Sequence, residues 1–139
     1  MRNRLLGLAL AAGGTLLLVG ATPANAASEP ATESNPSASA LVLTSNPGEE
    51  VSPFARSVAL TCQPAGGTHP EPVFACNELA SVDGDINKLD VRTDQACTFI
   101  YAPVTVTATG VWDGRKVEYK ETFPNDCVLT SYTGHVFRF

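Results

Sequence analysis

From Ser57 to Cys62 the chain alternates, with Val58, Leu60 and Cys62 set against Ser57, Ala59 and Thr61. A period of two sends successive side chains to opposite faces, so this segment reads as a strand with one buried face. The same alternation sets Val104, Val106 and Ala108 against Thr105, Thr107 and Thr109. Val111 and Trp112 then lead into Asp113-Gly114, a dipeptide that supplies the positive φ angles of a type I′ hairpin turn. Arg115–Phe123 is the return strand, with Val117, Tyr119 and Phe123 on one face and Lys116, Glu118 and Lys120 on the other. Leu41–Thr44 is a shorter strand ended by the turn signal Asn46-Pro47-Gly48, and His135–Phe139 reads as a last strand. Leu79, Val82, Ile86 and Leu89 recur at spacings of three, four and three, which stacks them on one helical face, and Asn77 is placed to cap it. Gly84 costs about 1 kcal/mol inside that helix and can end it early. Gln63–Pro72 is rich in Gly and Pro and reads as irregular. About five strands and one clear helix make an α+β domain on an antiparallel sheet.

The first residues follow a different rule. Arg2 and Arg4 precede an apolar run from Leu5 to Val19, and Ala24-Asn25-Ala26 offers small residues at a cleavage site. This is the pattern of an export signal over residues 1–26. The run is shorter than the roughly 20 residues that span a bilayer, so a membrane anchor is not expected. Residues 27–39 are small, polar and Pro-containing and read as a disordered mature N-terminus, leaving residues 40–139 as one domain. Cleavage also leaves 7 basic against 14 acidic side chains, a net charge of about −7. That balance argues against nucleic acid or an anionic membrane as partner.

Four cysteines, Cys62, Cys76, Cys97 and Cys127, remain in the mature chain. An even count in a short exported chain reads as two disulfides, for which three pairings exist. The local pairing is the simplest, because neither loop crosses the other. A metal site is disfavoured by the absence of any Cys-x-x-Cys and by the isolation of His69 and His135, so no metal or other cofactor is expected.

No nucleophile elbow, His-Glu-x-x-His or phosphate-binding glycine loop is present, and the chain does not read as an enzyme. The segment Cys97-Thr98-Phe99-Ile100-Tyr101-Ala102-Pro103 is conspicuous instead. One reading makes it a core strand followed by an edge proline. The other makes it an exposed, extended loop tethered at Cys97 and stiffened at Pro103.

A resemblance decides between them. Cys62-Gln63-Pro64, Gly66, His69-Pro70 and Ala75-Cys76-Asn77-Glu78-Leu79 resemble the signature of the Streptomyces subtilisin inhibitor family. The similarity continues through Gly84-Asp85-Ile86-Asn87, the segment after Cys97, Gly110-Val111-Trp112, Phe123-Pro124-Asn125-Asp126-Cys127 and Val136-Phe137-Arg138-Phe139. It implies a five-stranded antiparallel sheet with two helices, disulfides Cys62–Cys76 and Cys97–Cys127, and a homodimer formed through the sheets. It also implies a reactive bond at Phe99–Ile100, with Thr98 and Phe99 departing from the Pro and the Met or Lys frequent in the family.

The expected function is then that of a secreted, substrate-like inhibitor of serine proteases. Phe99 would enter the primary pocket, which suits subtilisin-like and chymotrypsin-like targets. Cys97, Thr98, Tyr101, Ala102 and Pro103 would complete the contact loop, and Asn125, two residues before Cys127, would prop its backbone. His69 reads as a structural histidine satisfied by backbone groups, and Trp112 as packing in the core or at a dimer interface. The competing readings are an inhibitor of another extracellular enzyme, such as a metalloprotease or transglutaminase, and a disulfide-stabilised adhesion or ligand-binding domain.

Overall fold

The computed structural model describes residues 38–92 and 94–139; the expected export signal and all but the last two residues of the expected tail lie outside the described residues. Five strands form one antiparallel sheet: β1 (Ser39–Pro47), β2 (Arg56–Cys62), β3 (Gly66–Gly67), β4 (Val104–Trp112) and β5 (Arg115–Phe123), ordered β3-β2-β1-β4-β5. Strand β1 is central and longer than its apolar stretch announces. It begins at Ser39, the last residue of the expected tail, which is buried and whose hydroxyl accepts from the Asp113 amide at 3.1 Å.

Alternation builds the core as expected. Leu41 and Leu43 of β1, Leu60 and Cys62 of β2, and Val106 and Ala108 of β4 are all buried on one face. Helix α1 (Pro72–Ser81) adds Ala75, Cys76 and Leu79 to this cluster, and helix α2 (Asp126–Thr133) adds Leu129. Each such aliphatic side chain contributes about 1.5–3 kcal/mol on leaving water. On the other face, Thr44 meets its register partner Thr107 at 2.5 Å, Oγ1 to Oγ1, while Thr105 meets Thr122 at 2.8 Å. These cross-strand pairs join β1 to β4 and β4 to β5.

Four local expectations are corrected. The helix starts at Pro72, not at Asn77, because Pro is pre-shaped for a first turn whose amide needs no partner. It stops at Ser81, since Asp83 and Gly84 take φ angles of 58° and 77°. A separate 3₁₀ turn at Ile86–Lys88 then returns Ile86 and Leu89 to the same core. Apolar spacing identified their burial correctly but not their element. Gly66–Gly67, expected to be irregular, forms β3 because it lies flat against β2, where a Cβ on Gly67 would come within 2.3 Å of the Ala59 carbonyl oxygen. The segment His135–Phe139 is not a strand, so the fifth strand is β3; Val136 and Phe137 are nonetheless buried. Helix α2, implied by the resemblance, occupies the preceding stretch.

Both disulfides take the local pairing, Cys62–Cys76 joining β2 to α1 and Cys97–Cys127 joining the segment before β4 to α2. His69 is buried between two backbone groups, its Nδ1 accepting from the Glu71 amide at 3.0 Å and its Nε2 facing the Val136 carbonyl at 3.1 Å. Trp112 is 2% exposed and belongs to the core. Gly84 lies against its indole, so close that a Cβ would sit 2.3 Å from Cγ. Among the described residues, every buried side-chain nitrogen and oxygen has a hydrogen-bond partner.

Candidate functional site

Residues 95–103 run without regular secondary structure between the 3₁₀ turn and β4. Phe99 is as exposed as an isolated side chain at 105%, followed by Ile100 at 67% and Tyr101 at 65%. Three consecutive large apolar side chains in water forgo the gain that burial would bring, roughly 1.5–3 kcal/mol each. A core strand at this position is therefore excluded. Thr98 and Ala102 are also exposed, whereas Cys97 and Pro103 at the two ends are half-buried.

The exposed backbone is anchored at several points. Cys97 is bonded to Cys127 in the first turn of α2. Pro103 presents its carbonyl to the Gly48 amide at 2.7 Å, just beyond the end of β1. The Ala102 amide donates to the Pro124 carbonyl at 2.9 Å.

Asn125 supplies the remaining support, and the way α2 begins explains why. It is the residue before the helix, in extended conformation, and its Oδ1 accepts from the Val128 amide at 3.0 Å. That bond satisfies one of the amides a helix start leaves open. It also turns the Nδ2 group towards the loop, where it donates to the Thr98 carbonyl at 3.1 Å and the Ile100 carbonyl at 2.9 Å. These are the carbonyls on either side of Phe99, and a single amide group holds both. Asn125 is buried, so water competes little for these bonds.

Tyr101 leans the other way, its hydroxyl donating to Glu49 Oε1 in the β1–β2 connection. Hydrogen bonding to Glu49, aided by partial burial and by the carboxylate charge, raises the Tyr101 phenol above its usual range. The structure thus brings together every residue expected at the site: Cys97, Thr98, Phe99, Ile100, Tyr101, Ala102, Pro103 and Asn125. It adds Gly48, Glu49 and Pro124, which sequence reasoning missed. Glu49 lies 52 residues from Tyr101 and carries no local signal of its own. The pairing of Pro47 with Val104 is what places the two segments side by side.

In chemical terms the site offers an apolar side chain on an exposed backbone pinned at several points. A family model described as subtilisin inhibitor-like matches residues 37–125. Subtilisin inhibitor-like protein 5 of Streptomyces fradiae is 51% identical over 74 residues, which is 53% of this chain and 69% of that protein. A subtilase-type protease inhibitor of Streptomyces coelicolor is 46% identical over 123 residues, 88% of this chain and 85% of its own. Among solved structures, Streptomyces caespitosus sermetstatin, crystallised in complex with Bacillus licheniformis subtilisin, is 37% identical with a TM-score of 0.58. That match covers 73% of this chain and 99% of sermetstatin. With sequence, fold and both disulfides in accord, the chain belongs to the subtilisin inhibitor-like family.

Proposed function

We propose that this protein is a secreted, substrate-like inhibitor of serine endopeptidases of the subtilisin and chymotrypsin types, with Phe99–Ile100 as its reactive bond. The observation that carries the proposal is the fully exposed Phe99 between two carbonyls held by one buried amide. A protease binds an extended segment through strand-like hydrogen bonds and takes one side chain into its primary pocket. Phe99 fills a hydrophobic pocket, and its rigid ring brings a large contact area at little ordering cost.

Binding alone does not make an inhibitor, since a good substrate also binds. Here the two ends of a broken Phe99–Ile100 bond stay in place. Cys97 keeps the Phe99 side attached to α2, while Asn125 holds the Ile100 carbonyl and Pro124 the Ala102 amide. The freed amine of Ile100 therefore stays beside the acyl group, at an effective concentration that lets resealing compete with hydrolysis.

The export-signal pattern in the sequence of residues 1–26 and the pair of disulfides support an oxidising, extracellular location. Val42 and Val111, 48% and 40% exposed on adjacent strands β1 and β4, favour a homodimer in which this outer sheet face is shared. Val42→Lys should then give a monomer in sedimentation velocity, and an unchanged dimer would exclude that face.

The central test is titration of subtilisin and chymotrypsin with purified protein, followed by mass mapping of the nicked product. Stoichiometric inhibition with a single cut after Phe99 is expected. No inhibition at micromolar excess would reject the function, and a cut elsewhere would reject the bond.

A further inference from the structure

We infer that the β1–β2 connection, Gly48–Ala55, is a second contact segment for the same protease, lying on the Ile100 side of the loop with Phe54 as its anchor. This rests on the inhibitory reading and extends it to a surface outside residues 97–103.

Phe54 is 91% exposed, the most exposed large apolar side chain after Phe99 among the described residues, and Val51 of the same connection is 43% exposed. Neither belongs to a disordered strand end. Asn46, buried at the end of β1, donates to the Glu50 carbonyl at 2.5 Å and accepts from the Ser52 hydroxyl at 2.6 Å. The Ala55 amide closes a turn on the Ser52 carbonyl at 3.1 Å. Phe54 is thus displayed by a hydrogen-bonded turn, not left loose.

The first two residues of the connection are joined to the loop and to β4. Gly48 bonds Pro103, Glu49 accepts from Tyr101, and the Thr105 hydroxyl donates to the Gly48 carbonyl at 2.8 Å. A single open hollow is lined by Pro47 and Gly48 from one segment and by Ile100 and Pro103 from the other. The start of the β1–β2 connection and the end of the loop therefore lie side by side at one end of the sheet.

The size of a stable complex points the same way. Specific interfaces use roughly 20–30 residues a side, whereas residues 97–103 supply seven. The adjoining apolar surface with exposed anchors is the β1–β2 connection, and pocket-filling aromatics carry much of the energy at such interfaces. The turn at Ser52–Ala55 is not extended, so Phe54 does not present a second cleavable bond; it acts as a contact.

The test uses the full secreted protein with subtilisin and three variants: Phe54→Ala, Phe99→Gly and the double mutant. Phe54→Ala is expected to weaken inhibition about ten-fold, mainly through faster dissociation, with an unchanged unfolding midpoint. Complex formation should also protect the amides of residues 49–55 from hydrogen exchange. Inhibition by Phe54→Ala within two-fold of the parent, with no such protection, overturns the inference while a loss in Phe99→Gly leaves the inhibitory reading standing. A parent protein that does not inhibit overturns both.

Discussion

Asn125 reaches from the start of α2 to the Ile100 carbonyl, donating at 2.9 Å one residue past Phe99. The same side chain caps the helix through its oxygen, so its two tasks can be separated by substitution. Asn125→Asp keeps an acceptor for the Val128 amide but loses the donor to the loop. It should fold with near-parental stability and be cleaved by subtilisin about 10–100 times faster, since the loop carbonyls lose their restraint. Asn125→Ala loses both functions and should in addition cost about 1 kcal/mol through the missing cap. Mass spectrometry of protease digests and calorimetry distinguish the two effects, and cleavage of both variants no faster than that of the parent would remove Asn125 from the mechanism.

Phe99→Lys should move the preference from chymotrypsin to trypsin, whose primary pocket carries a carboxylate. The ratio of inhibition constants should swing by at least roughly 100-fold, about 2.7 kcal/mol. Because Phe99 is fully exposed, the unfolding midpoint should not move. Indifference of both proteases would place the reactive bond elsewhere.

Gly84→Ala should be severely destabilising, by about 2–4 kcal/mol. Its φ of +77° disfavours any side chain, and the new methyl would press on the Trp112 ring. Urea unfolding measures the loss. Inhibition under native conditions should persist, because nothing in the loop is touched.

Burial, with a smaller contribution from the Glu121 charge, pushes the Tyr119 phenol up to about 12. In the unfolded chain it would titrate near 10. The folded state therefore prefers the protonated ring. Its contribution is complete below pH 10 and is lost as pH rises towards 12, where the unfolded chain deprotonates first. Urea midpoints at pH 9.5 and 11 should fall in the parent, and the fall should be smaller in Tyr119→Phe. An equal fall in both would show that Tyr119 does not couple to folding.

Alternation made the faces of β2, β4 and β5 legible, and Asp113-Gly114 made the hairpin legible, because those signals are local. The cysteine pairing and the site came from the resemblance, since the apolar run at Phe99–Ile100–Tyr101 is compatible with a buried strand by composition alone. What escaped was non-local or weakly patterned. Pro72 is a recognised helix-start residue, but the Gly/Pro-rich run before it masked the boundary. Leu79, Ile86 and Leu89 keep helical spacing across a break at Asp83-Gly84, because a 3₁₀ turn restores their direction. Glu49 is an ordinary loop residue until β1 pairs with β4 and brings it beside Tyr101.

Trp112 is the sole tryptophan of the sequence and sits at the last position of β4, whereas the loop joins that strand at its first. Eight strand steps separate them, roughly 26 Å. Its emission is consequently an intrinsic optical probe of the scaffold that is blind to events at Phe99. A cut protein and an intact one should fluoresce alike, and only melting of the sheet should shift the band to the red.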